Sequence, residues 1–191
     1  MASIIEICNL ALQNISQRTI TSLDARTNEG KQCAQRYEHA RDVTLQMSWW
    51  GFAKGVAALP NLDAAPVEWA YAYQLPPDLI ACRYIVSPVP RQRVPFEQSG
   101  RELWTNHGPE TTLAYTKRVV DPTQFSPLFI DALSWRIAAD IAVPLTGSKS
   151  SRRDALGTFG DILKIASSSD ANEQGPVSPL ETVPDWIEGR G

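Results

Sequence analysis

The chain is poor in the side chains that most site chemistry uses. Of its 191 residues only two are histidine and three are cysteine. Cys8, Cys33 and Cys82 lie far apart, are odd in number and form no CxxC pair. Their spacing suggests neither a disulfide framework nor a zinc site. Each sits among apolar residues and reads as a small buried hydrophobe in a reducing compartment. His39 falls between Glu38 and Ala40, and His107 lies in an Asn106-His-Gly-Pro109 turn. Neither has a Cys, Asp or second His at ligand spacing. No serine occupies a G-x-S-x-G elbow. Leu145-Thr-Gly-Ser-Lys-Ser150 lacks the upstream glycine and the Gly-Lys-Ser/Thr core by which a phosphate loop turns its backbone N–H groups on a ligand. No catalytic, cofactor-binding or metal-binding residue is expected, and the chain reads as a non-enzyme.

Positive charge is also short. Eighteen basic residues against 21 acidic ones give a net charge of −3 and a pI near 5.4. A general nucleic-acid binder needs a phosphate-neutralising excess of Lys and Arg. No apolar run approaches the ~20 residues that span a bilayer, so no membrane association is expected. The start, MASIIEICNL, has neither a basic n-region nor a cleavage site, so it does not read as a signal peptide.

Proline and tryptophan are abundant, at 14 and 6. The prolines partition the chain. Before them, Ser3-Ile-Ile-Glu6 fits a capping box, and Ile4, Ile5, Cys8, Ala11, Leu12 and Ile15 recur at helical spacing. A first helix is predicted over 4–15. A second is predicted over 29–48, with Cys33, Tyr37, Ala40, Thr44 and Met47 on one face, Leu45 at its edge and Gly51 as its stop. From Pro60 to Pro109 prolines exclude helix interiors. Strands are predicted over 67–73 (with Trp69, Tyr71 and Tyr73 on one face), 79–87, 94–97, 102–105 and 111–120. Ser126-Pro127 then opens a third helix as N-cap and first residue. Pro144 kinks or ends it, and Ser148 or Ser150 caps a fourth that fades near 167–170.

The expected fold is therefore α+β. A bundle of about four helices (1–51 and 123–171) carries an inserted small antiparallel β-domain (52–122). An extended C-terminal arm, 172–191, completes the chain. The arm has no periodicity but holds Val177, Leu180, Val183, Trp186 and Ile187. Solvating tails avoid such residues, so the arm reads as a docking segment. Two basic clusters, Arg91 with Arg93 and Lys149 with Arg152 and Arg153, are candidate subunit or partner contacts.

A set of residues spread through most of the chain resembles the tail tubular protein A family, the head-to-tail adaptors of short-tailed bacteriophages. They are Ile7 to Leu12, Ser22-Leu-Asp24, Tyr37, Arg41, Asp42, Leu45, Trp49 and Phe52-Ala53. Trp69 to Asp78, Phe96-Glu97, Leu113-Ala-Tyr115 and Asp121-Pro122 follow. Phe125 to Phe129 and Leu145 to Ser148 close the series. The resemblance implies a structural virion protein at the head–tail junction, assembled in the host cytoplasm. It implies a homo-oligomeric ring, a dodecamer, under the portal protein, with a tail nozzle of the tail tubular protein B type below. Double-stranded DNA would pass through the ring without sequence-specific binding. It also implies an arm set against the portal, here Val183, Pro184, Trp186, Ile187 and Arg190. The alternative is a small DNA-binding virion protein that retains or organises packaged genome, using the basic clusters and stacking Trp or Tyr on bases.

Overall fold

The computed structural model of the chain describes residues 2–24, 26–87, 89 and 92–173, with side chains through Ala166. The fold is α+β: among the described residues, four helices and seven antiparallel strands.

Helix α1 (Ile4–Asn14) begins at the expected capping box. Glu6 N–H donates to Ser3 Oγ at 3.2 Å, and Ser3 N–H donates to the Glu6 carboxylate at 2.7 Å. Helix α2 (Asn28–Met47) is capped by Thr27, whose hydroxyl accepts from Gly30 N–H at 3.1 Å. It stops at Ser48 rather than Gly51, which instead opens a 3-10 turn, Gly51–Ala53. The early stop lets Trp50 fold back into the core, where its indole N–H donates to the Thr44 carbonyl at 2.8 Å. Met47, expected on the buried face, is 56% exposed, while Leu45 is fully buried. Helix α3 (Pro127–Thr146) starts at Ser126 as predicted and runs through Pro144 to a left-handed Gly147 cap. Pro144 lies in the last turn of α3, where it forgoes the N–H bond to the Asp140 carbonyl and the helix ends two residues later. Helix α4 (Lys149–Glu173) starts at Ser148, whose hydroxyl accepts from Ser151 N–H at 3.2 Å. It runs two residues into the span 172–191 expected as an arm; residues 174–191 lie outside the described residues.

The strands are β1 (Lys54–Leu59), β2 (Asn61–Leu62), β3 (Tyr71–Gln74), β4 (Leu79–Ile85), β5 (Phe96–Ser99), β6 (Glu102–Thr105) and β7 (Thr111–Lys117). They form two sheets, β1-β7-β4 and β2-β3-β6-β5, where the sequence suggested one. Strand β1 escapes sequence reading because Lys-Gly-Val-Ala-Ala-Leu shows no alternation. The expected strand over 67–73 shortens to its end: Tyr71 and Tyr73 share a face, rings 6.3 Å apart, but Trp69 lies before the strand. The 98–101 hairpin turn is present, with Gly100 at φ +56°.

Each half has its own core. Ile7, Leu12, Leu45, Trp50, Phe129, Leu133, Ile137 and Ile141 are among the residues packed together in the bundle. Leu59, Tyr73, Leu75, Ile85, Leu103, Leu113 and Tyr115 pack between the sheets.

Candidate interaction surface

The bundle and the β body meet through strand β4. Its register against β7 slips twice, between Leu79 and Ala81 and between Cys82 and Tyr84. Each slip leaves an extra residue, Ile80 or Arg83, and a bulge re-aims the residue it adds. Ile80 packs against the bundle core. Arg83 donates to the carbonyls of Gln46 (3.1 Å) and Ser48 (2.8 Å) and to Thr116 Oγ1 (2.8 Å). The last turn of α2 contains no basic residue of its own. The sheet thus supplies the cation that the carboxyl end of a helix favours. A second joint is ionic. Asp42 accepts from Arg41 at 2.8 Å and pairs with Arg118 at 3.0 Å.

Beside the first joint lies an open groove of about 1,250 Å³. Trp49, Lys54, Val56, Arg83, Tyr84 and Val86 line one part of it, and Gln92, Arg93 and Phe96 another. Trp49 and Tyr84 meet edge to face at 5.5 Å, and the Lys54 ammonium sits 4.9 Å from the Trp49 ring centroid. Val56 is 69% exposed and Tyr84 47%. These apolar groups share one surface, and three cations but no carboxylate appear among its described lining residues. The Trp49 indole N–H is buried and has no hydrogen-bond partner among the described residues. Such a group calls for an explanation.

Of the predicted contact residues, Arg93 lies on this groove and is exposed. Arg91 lies outside the described residues. Lys149, Arg152 and Arg153 occupy the first turn of α4, exposed. None of these three is among the described residues that line the groove with Arg93. Val183, Pro184, Trp186, Ile187 and Arg190 lie outside the described residues. Sequence reading missed Trp49, Lys54, Arg83 and Tyr84 as a group. No short-range signal joins them; the β4 bulges and the early stop of α2 do.

The remaining reactive groups are packed away or dispersed. The Cys8 thiol is pushed well up by its hydrogen bond with Cys33 and by burial, which keeps it protonated. His39 is exposed on α2. The His107 carbonyl accepts from the hydroxyls of Tyr73 (3.2 Å) and Thr111 (2.8 Å), which fixes the turn. Among the described residues, no group of three His, Cys, Asp or Glu side chains could hold a metal ion. No described helix is long and apolar enough to cross a membrane. The chain matches no family model and no curated protein.

Proposed function

We propose that the chain is a structural subunit of a head-to-tail adaptor ring in a short-tailed phage. It joins portal to nozzle, forms part of the DNA conduit and catalyses nothing. The observation that carries this reading is the exposed apolar surface of the β body beside a separately cored helical bundle. A ring subunit needs surfaces on more than one side, and apolar groups without an internal partner mark such surfaces. The residues that carry the family resemblance also occupy joints of the fold. Asp42 closes the ionic joint, Asp78 accepts from the Tyr115 hydroxyl at 3.1 Å, and Gly147 caps α3. A net charge of −3 repeated around a ring favours weak contact with passing phosphate.

Deleting residues 183–191 tests the proposal. The shortened chain should stay folded by circular dichroism and lose attachment to the portal ring of the same particle. Unchanged attachment in electron micrographs or sedimentation would refute the assigned role of the arm. Trp186→Ala alone should cost about 2 kcal/mol or more of portal binding, as for a buried aromatic anchor.

One observation favours the genome-binding alternative: Arg93, Lys54 and Arg83 share a groove with partly buried Trp49 and half-exposed Tyr84. Aromatic rings among cations form a stacking platform for single strands. A gel shift across salt concentrations separates the readings. Micromolar binding with a steep negative salt slope belongs to the DNA binder.

A further inference from the structure

We infer that the chain docks on a second copy of itself through the two outer faces of its β body. The outer face of β2-β3-β6-β5 on one copy seats in the groove beside Trp49 and Tyr84 on the next. The inference says which faces meet and does not depend on the adaptor reading. It starts from charge. Strands β1, β4 and β7 carry Lys54, Arg83 and Lys117 and no carboxylate. Strands β2, β3, β5 and β6 carry Glu97 and Glu102 and no cation, and the connection from β2 to β3 adds Asp63 and Glu68. Arg101, in the turn between β5 and β6, is held on the carbonyls of Leu75 (3.3 Å) and Pro76 (2.6 Å). Side chains alternate across a strand. Leu113 and Tyr115 point into the core between the sheets, so Ala114 and its strand partners Val56 and Tyr84 face outward. In the other sheet Tyr73 and Leu103 point inward, so Trp104 and its partner Glu97 face outward. The two outer faces therefore point away from each other and differ in sign. One molecule cannot join them, and two copies can, head to tail.

Both faces are apolar as well as charged. On the acidic one, Trp69 and Trp104 are partly exposed, and their indole N–H groups donate to the carboxylates of Glu97 (3.3 Å) and Glu102 (2.9 Å). Those bonds hold rings and carboxylates together as one surface. In the connection before Trp69, Val67 is 105% exposed and stands next to exposed Glu68. The groove offers the complement: the crossed rings of Trp49 and Tyr84, exposed Val56, and the cations Lys54 and Arg93. Docking covers aromatic and aliphatic surface on both copies, as the centre of an interface requires. It also sets carboxylates against cations, which fixes the register of the contact. A nucleic acid suits the groove alone, and the acidic face repels it. A second copy uses both faces.

The test uses the full chain with a photo-crosslinking amino acid in place of Val67, whose side chain is fully exposed. It is mixed with isotope-labelled chain at high concentration and low salt, irradiated and mapped by mass spectrometry. The expected product joins a labelled to an unlabelled chain, from residue 67 to β1, β4 or residues 92–96 of the groove. Glu68→Lys on the crosslinking copy should lower the yield about two- to fivefold, the range of an exposed ion pair. Giving the labelled copy Arg93→Glu should then restore it, which structural damage from either substitution would not do. At low salt the screening length exceeds ~10 Å, so the rescue requires the two residues to share an interface without touching. Links within one chain, links outside the groove, no link between copies, or no rescue overturns the proposal. Loss of the link on adding a single-stranded oligonucleotide assigns the groove to nucleic acid and overturns it too. Portal attachment is read separately, by the 183–191 deletion, so the failure of one reading is distinguishable from the failure of the other.

Discussion

The helical bundle and the β body both enclose a core, but they fasten it at different ranges. In the bundle most polar fasteners are local, the bond from the Asn14 amide to Ser134 Oγ at 3.2 Å being a long-range exception. Ser3, Thr27, Ser126 and Ser148 each satisfy a backbone N–H three residues ahead. In the β body they are distant in sequence. The Tyr73 hydroxyl donates to the carbonyls of His107 (3.2 Å) and Pro109 (3.1 Å), and the Tyr115 hydroxyl to Asp78 (3.1 Å). Trp49 and Trp50 divide along the same line. Trp50 is 4% exposed and stacks into the bundle, whereas Trp49 lines the open groove. A local cap is fixed by two residues near each other in the chain. A distant fastener exists only if the strand register is right, so the β body depends on the bulges of β4.

The comparison can be broken at its centre first. Phe129 touches Trp50, Phe52 and Phe125 at ring separations of 4.7 to 5.0 Å. Phe129→Ala should cost about 3–5 kcal/mol in urea denaturation, because a rigid core collapses little into the cavity. A loss under about 1 kcal/mol would mean that the aromatic cluster is not the bundle's centre. Arg83→Met comes next. It strips three charge-assisted bonds from the joint and should cost about 2–3 kcal/mol, with little rescue by Lys, which lacks the planar fork. A value near zero would make the two halves independent. Gly55→Val then tests the β body alone. A Cβ at residue 55 would meet the Tyr115 ring at 2.8 Å, and that ring is tethered to Asp78. The expected cost is about 1–3 kcal/mol. Unaltered thermal stability would show the tether to be slack.

The smallest effect is alkaline. Burial pushes the Cys82 thiol up to about 11 from 9.0 and the Tyr37 hydroxyl up to about 12 from 10.0. The unfolded chain loses each proton at the ordinary value while the folded chain still holds it. Stability is therefore fully present below pH 9 and falls as pH rises, through Cys82 and Cys8 first and Tyr37 second. Cys82→Ala should make the fall between pH 9 and about 11 shallower without moving its onset, which Cys8 also sets, read as urea midpoints across pH. An unchanged slope would assign the loss to other groups.

Three of the four helix starts were legible because their signals are short: Ser3 with Glu6, Ser126 with Pro127, and the serines at 148 and 150. The start at Thr27 falls one residue before the expected helix and carries no glutamate three residues on. In α2 the sequence placed Met47 on the buried face and did not place Arg41 there, whereas Arg41 is buried against Asp42. Hydropathy alone cannot see that a charge has a partner. In the β body Tyr71 and Tyr73 were read correctly as sharing a face, yet the division into two sheets was not, because it is set by pairings such as β1–β7, β4–β7 and β3–β6, whose partners lie 28 to 62 residues apart.

For the interaction surface the balance shifts further. Arg93 was visible as part of a basic pair, and it does lie on the groove. Trp49, Lys54, Arg83 and Tyr84 come from three different elements and share no periodicity. By itself the sequence determined the α+β order of elements, the helix caps and the shortage of catalytic groups, because each depends on composition or on neighbours a few residues apart. Only the tertiary structure decided which tryptophan is core and which is surface, and where the sheet's exposed apolar face lies. Those outcomes depend on two bulges and one early helix stop, which balance long-range packing against local preference.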